Sequence, residues 1–164
     1  MDPDVVALAT ATSQGQPSVR MVLYRGIREG GLSFFTNYES RKGRELTENP
    51  FAAMAFYWVH LGKQVRIEGR VERLSAAESD GYFQQRPFLS RVTAIVSRQS
   101  LPMLDEGQFL EQLAETEQST NANDIRRPSN WGGFKLIPSL FEFWTHADYR
   151  RHRRVLYEKS GAAW

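Results

Sequence analysis

The chain has 164 residues, 21 Lys+Arg against 19 Asp+Glu, a formal net charge of +2 and no cysteine. That length suits one domain, and a 41% hydrophobic content with 10 Phe, 6 Tyr and 4 Trp supplies a sizeable core. The missing thiols exclude a disulfide scaffold, a thiolate nucleophile, a zinc–thiolate site and an iron–sulfur cluster. The near-balanced charge gives little reason to expect non-specific nucleic-acid binding.

No apolar run approaches the ~20 residues needed to span a bilayer, and the opening Met-Asp-Pro-Asp-Val-Val has no signal-peptide character. A cytoplasmic protein with one domain over residues 1–164 is the expectation. In chain order, residues 5–12 and 18–24 read as strands around the turn Ser13-Gln14-Gly15-Gln16-Pro17, and Gly30-Gly31 precedes a strand over 32–36. Ser40 is an N-cap candidate for a short helix stopped by Asn49-Pro50. Residues 51–58 and 63–74 form the next strand pair, the second placing Val65, Ile67 and Val71 on one face and charged residues on the other. Ser75-Ala76-Ala77-Glu78 is a capping box for a helix ending near Arg86-Pro87. Helices over 89–97 and 103–118 follow, the latter with Leu104, Phe109, Leu110 and Leu113 as its apolar members. Residues 119–130 read as a polar loop, and 134–136, 140–144 and 151–159 return to strand. The order of strands, helices and strands again predicts a mainly β fold, a small barrel with helices packed outside it.

His60, His146 and His152 fall in no triad or metal-ligand spacing, so no metal site is expected and any chemistry is assigned to a cofactor. Three basic clusters invite an anion. Ser40-Arg41-Lys42 places cations at a helix N-terminus, against the dipole. A bound phosphate explains that placement, and an N-cap with ordinary surface charges is the plain alternative. Arg20 shares a strand face with Ser18, Val22 and Tyr24, opposite Val19, Met21, Leu23 and Arg25. The plain alternative there is an edge-strand salt bridge. If the last segment is a strand, Arg150, His152 and Arg154 project from one face at period two, a row able to hold a phosphate or a planar ring with its oxyanion. A nucleic-acid stripe or a charged edge is the alternative.

These residues carry a resemblance. Gln16-Pro-Ser-Val-Arg20-Met-Val-Leu, Phe34-Phe-Thr36-Asn, Ser40-Arg-Lys42, Gln64-Val, Tyr82-Phe-Gln-Gln-Arg86-Pro, Ser97-Arg-Gln99-Ser100, Trp131-Gly-Gly-Phe and Glu142-Phe-Trp144 through Arg154 occur in an order that resembles the pyridoxine/pyridoxamine 5′-phosphate oxidases. Those are FMN-dependent split β-barrel homodimers that make pyridoxal 5′-phosphate. The resemblance implies that Arg20 and Lys42 contact the FMN phosphate, with Phe35, Thr36 and Arg41 beside them. It implies that Met21, Val22 and Leu23 run along the isoalloxazine and that Gln64 hydrogen-bonds the ring. Gln99, Ser100, Trp144 and Arg154 would come from the other subunit, at an interface holding the flavin.

Tyr82, Arg86 and Ser90 would hold the substrate phosphate, and Arg150 and His152 would cover the substrate ring as the catalytic pair. The implied chemistry is hydride transfer from substrate C4′ to flavin N5, then reoxidation by O2 to H2O2. The family's substrate-contacting N-terminal segment and its short C-terminal tail are expected to be absent. Arg151 and Arg153 stand where the family signature has an aliphatic and then an acidic residue, and Arg25 where it carries a substrate-contacting Lys. These departures keep two other readings open: an FMN-dependent oxidase of another aromatic ring, as in phenazine biosynthesis, and a non-enzymatic flavin-binding or oligonucleotide-binding barrel.

Overall fold

The computed structural model describes residues 2–103, 105–122, 124–161 and 164. The elements run β1 (Val5–Ala11), β2 (Pro17–Leu23), β3 (Ile27–Arg28), β4 (Gly31–Asn37), α1 (Arg41–Glu48), β5 (Phe51–Trp58), β6 (Lys63–Arg73), α2 (Ala76–Gln85), α3 (Phe88–Val96), α4 (Glu106–Ser119), β7 (Trp131–Thr145) and β8 (Arg153–Glu158). Single 3-10 turns occupy Val59–Leu61 and Asp148–Arg150. The strands form one sheet in the order β2-β1-β5-β6-β7-β4-β3, with β8 paired to β7. The mainly β class with peripheral helices expected from the sequence is what the chain adopts.

The chain divides into two compact units. The first takes residues 1–34, 45–72 and 134–164. Its strands bury alternate residues: β1 hides Val6, Leu8 and Thr10, and β2 turns Ser18, Arg20 and Val22 inward while Val19, Met21 and Leu23 stay exposed. Registers Leu8↔Arg20 and Thr10↔Ser18 place those pairs directly across the β1–β2 ladder. Phe34, Met54, Ile67, Phe134 and Leu136 complete this core, with the Phe34 and Phe134 rings stacked at 5.6 Å.

The second unit takes residues 35–44 and 73–133. Its core is Phe83, Val92, Ala94, Ile125 and Trp131, with Phe35, Tyr82, Phe88 and Leu113 packed against it. Ser75 caps α2 by accepting the Glu78 N–H at 3.2 Å, as its capping box predicts. Asp105 does the same for α4 through the Gln108 N–H at 3.0 Å. That cap starts α4 later than the expected 103; Leu104, expected among its apolar members, lies outside the described residues, and Leu110 is exposed.

Two expectations about the last strands are corrected. Residues 134–136 and 140–144 belong to one 15-residue strand that runs through Pro138. Gly69 makes the room: a Cβ there would lie 2.0 Å from the Ile137 carbonyl oxygen and 3.0 Å from the Pro138 Cα, so only glycine permits this approach of β6 and β7. β8 begins at Arg153, so Arg150 and His152 are not strand residues and the period-two row with Arg154 does not form. Tyr149 and Arg150 take left-handed φ of 56° and 61°, which turns the chain where a strand would stay extended.

Candidate functional site

In the second unit, a buried cation sits at the start of α1. Ser40 caps the helix: its Oγ accepts the Gly43 N–H at 3.3 Å. Lys42 is only 7% exposed. Its Nζ donates to Thr36 Oγ1 at 3.0 Å, Gln99 Oε1 at 3.3 Å and Ser40 Oγ at 3.4 Å. Gln99 Oε1 also accepts from Thr36 Oγ1 at 2.8 Å and from the Asn37 N–H at 3.3 Å. Thr36, Lys42 and Gln99 are therefore one hydrogen-bonded cluster within the chain. Arg41, next to Lys42, is exposed.

A cavity of about 280 Å³ in the same unit is lined by Arg86, Ser90, Thr93, Gln99, Asn37 and Trp131, among others. The Arg86 guanidinium lies 4.6 Å from the Trp131 ring centroid, so a charged, planar donor is held on an aromatic wall. Tyr82 stacks on Phe35 with centroids 3.8 Å apart. The fold thus brings Arg86 and Ser90 to one cavity and fixes Tyr82 against Phe35. Ser100, at φ 73°, lines a neighbouring cavity with Gln99.

In the first unit Arg20 is held from several sides. Its Nη1 donates to Thr10 Oγ1 at 2.6 Å and Leu8 O at 3.1 Å, and its Nη2 to Ser18 Oγ and to Glu45 Oε2, the latter at 3.2 Å. Glu45, 4% exposed, also accepts from Ser18 Oγ at 2.6 Å and from Thr10 Oγ1. The salt-bridge reading of Arg20 is correct in kind, and its partner lies on α1. Glu45 escaped the sequence reading because 25 residues separate it from Arg20, and no pattern on a short helix announces so distant a partner.

Arg25 pairs with Asp4 at 3.8 Å. Between them in the chain Tyr24 packs edge-on to Phe56, and burial first, the Asp4 charge second, push its phenol above the usual tyrosine range. Met21 and Leu23 are exposed, Val22 faces inward, and Gln64 sits on β6 opposite Tyr57. At the end of β7 the Trp144 and His152 rings approach to 4.7 Å and His146 and His152 to 5.2 Å. The His152 Nδ1 accepts the Ala147 N–H at 3.2 Å. Arg154 and Arg66 converge on Glu142 Oε2 at 3.5 and 3.6 Å. The pairing of Glu142 with Arg66 and Arg154 was not expected from the sequence. Period-two spacing between Glu142 and Trp144 on one strand was the signal available. Among the described residues no group of three or more His, Cys, Asp or Glu could hold a metal, and no helix is long and apolar enough to cross a membrane.

Comparison with known proteins places these features in a family. Residues 2–121 match the family model described as pyridoxamine 5′-phosphate oxidase. Residues 131–164 match the pyridoxine 5′-phosphate oxidase C-terminal dimerisation region. The chain is 48% identical over 163 residues to the pyridoxine/pyridoxamine 5′-phosphate oxidase of Gluconobacter oxydans (strain 621H), covering 99% of this chain and 82% of that one. It is 47% identical over 164 residues to the protein of that name from Coxiella burnetii, covering 100% and 83%. The crystal structure of PhzG from Burkholderia lata 383 in complex with tetrahydrophenazine-1-carboxylic acid matches with a TM-score of 0.93 and 34% identity, over 100% of this chain and 80% of that one. A pyridoxamine 5′-phosphate oxidase-related, FMN binding protein from Nostoc punctiforme shares the fold, with a TM-score of 0.80 at 19% identity over 99% and 84% of the two chains.

Proposed function

The chain belongs to the pyridoxine/pyridoxamine 5′-phosphate oxidase family of FMN-dependent oxidoreductases, and from that premise we propose that it oxidises pyridoxine or pyridoxamine 5′-phosphate to pyridoxal 5′-phosphate. The observation that carries this reading is Lys42. An ammonium 7% exposed at a helix start, steadied by two hydroxyls and an amide oxygen, puts a fixed positive charge where the helix N-terminus already favours an anion. The Lys42 charge suits the phosphate of FMN, and the residues present fit the cofactor. When bound, FMN would supply the two-electron redox chemistry that the chain's side chains lack, with O2 as the final acceptor.

The chain's own residues bind and orient. Lys42, Arg41 and Arg20 would contact the cofactor phosphate, Arg20 while still paired with Glu45, with Thr36 and Phe35 beside them. The backbone of Met21, Val22 and Leu23 supports the ring, and Gln64 hydrogen-bonds it. Gln99, Ser100, Trp144 and Arg154 would complete the site of a second copy in a homodimer. Arg86 and Ser90 bind the substrate phosphate, with Tyr82 and Arg25 beside them. Arg150 and His152 cover the substrate ring, so that alignment, not protein acid–base power, sets the rate. This division of labour fits a chain with no triad.

A second reading rests on the exposed arginines Arg150, Arg151 and Arg153 around His152. They suit a ring carboxylate, which the PhzG ligand carries by name. One experiment separates the two: a visible spectrum of the purified protein, then oxygen uptake. We expect flavin absorbance and O2 consumption with pyridoxamine 5′-phosphate. Flavin absorbance with turnover of a reduced phenazine carboxylate alone selects the second reading, and a protein that neither carries nor takes up FMN rejects both.

A further inference from the structure

The turn between β7 and β8 holds one imidazole by its backbone. An amide N–H can only donate, so the 3.2 Å bond from the Ala147 N–H requires a lone pair on His152 Nδ1. In the neutral ring the proton is then on Nε2. The chain must double back for residue 147 to reach residue 152, and it does so through two successive left-handed residues, Tyr149 (φ 56°) and Arg150 (φ 61°). Neither is glycine, and the Tyr149 side chain is 90% exposed, so no packing of that ring fixes its conformation. Trp144 at 4.7 Å and His146 at 5.2 Å flank the half-buried imidazole and limit its rotation.

We propose that the 147–152 turn fixes His152 as its Nε2–H tautomer, so that its free edge meets the substrate as a neutral hydrogen-bond donor and not as a base. Tyr149 is the positioning residue, acting through the turn. The consequence for the substrate rests on the proposed function, which puts His152 at the reacting ring. The tautomer itself does not. A donor at Nε2 suits a substrate atom with a lone pair, such as a ring oxyanion, and holds it without taking a proton from it. Removal of substrate protons then falls to solvent or to the substrate's own amine.

Long-range proton–nitrogen correlation spectra of the full-length, 15N-labelled holoprotein at alkaline pH test this directly, with His152 assigned through His152→Gln. The expected pattern is an unprotonated Nδ1 and a protonated Nε2. A Nδ1–H pattern, or one averaged over both tautomers, overturns the proposal. Tyr149→Gly, which accepts positive φ without strain, should keep the wild-type pattern, whereas Tyr149→Val, whose branched Cβ disfavours it, should give the averaged one. An unaltered pattern in a folded Tyr149→Val rejects the positioning role, and if that variant does not fold, the wild-type spectrum still decides the tautomer. A fixed Nε2–H tautomer combined with undiminished oxidation of pyridoxamine 5′-phosphate by His152→Gln overturns the substrate-facing half alone.

Discussion

Burying an ammonium costs several kcal/mol unless charge and hydrogen bonds compensate, and Thr36, Ser40 and Gln99 supply hydrogen bonds to Lys42. If Lys42 meets the FMN phosphate as proposed, Lys42→Ala removes a charged contact worth about 1.5–3 kcal/mol, so FMN should bind about 10- to 100-fold more weakly in a fluorescence-quenching titration of apoprotein. Unchanged affinity would show that the phosphate sits elsewhere. Arg20 differs because Glu45 already holds it. Glu45→Ala leaves a largely buried guanidinium without its carboxylate and should cost about 2–4 kcal/mol in denaturant unfolding, the lower part of the usual range because Arg20 keeps some solvent contact. At this scale the sequence named Arg20 and Lys42 and missed Glu45, since side-chain alternation identifies a face and says nothing of a partner 25 residues away.

Individual elements followed their local chemistry where a cap or an alternation was present. Ser40, Ser75 and Asp105 begin α1, α2 and α4, and β1 and β2 alternate as their residues dictate. Proline gives up one ladder donor, but a single donor is a small loss in β7, which continues through Pro138. Gly69 lets β7 pass. Gly69→Ala puts a methyl group 2.0 Å from the Ile137 carbonyl oxygen, and the forced separation should lower unfolding stability by about 3 kcal/mol in a denaturant titration; wild-type stability would mean that the strands part without cost. The 147–152 turn went the other way. Its residues read as an extended charged edge, and two left-handed φ values convert it into a holder for His152.

On the scale of the whole molecule, two hydrophobic clusters organise the chain, and neither is continuous in sequence: three stretches build the first unit and two the second. Val19, Met21 and Leu23 leave an apolar row in water on β2, at 69%, 59% and 40% exposure, and residues 131–164 match a dimerisation region. Together they support a homodimer. Sedimentation should report twice the 18.9 kDa chain mass, and thermal unfolding should shift upward with protein concentration. A concentration-independent midpoint and a monomer mass would remove the second copy from the proposed flavin site.

By itself the sequence determined the mainly β class, the capped start of α2 and the family. Each of these depends on local periodicity, on capping residues or on motifs that survive as short words. Only the tertiary structure decided that Glu45 neutralises Arg20, that Gln99 joins Lys42 in its own chain, that Glu142 gathers Arg66 and Arg154, and that a backbone amide sets His152. Those depend on contacts between residues far apart in the chain and on left-handed turns. A hydrogen bond forms between atoms that the whole fold brings within about 3 Å, and no spacing along the chain carries that distance.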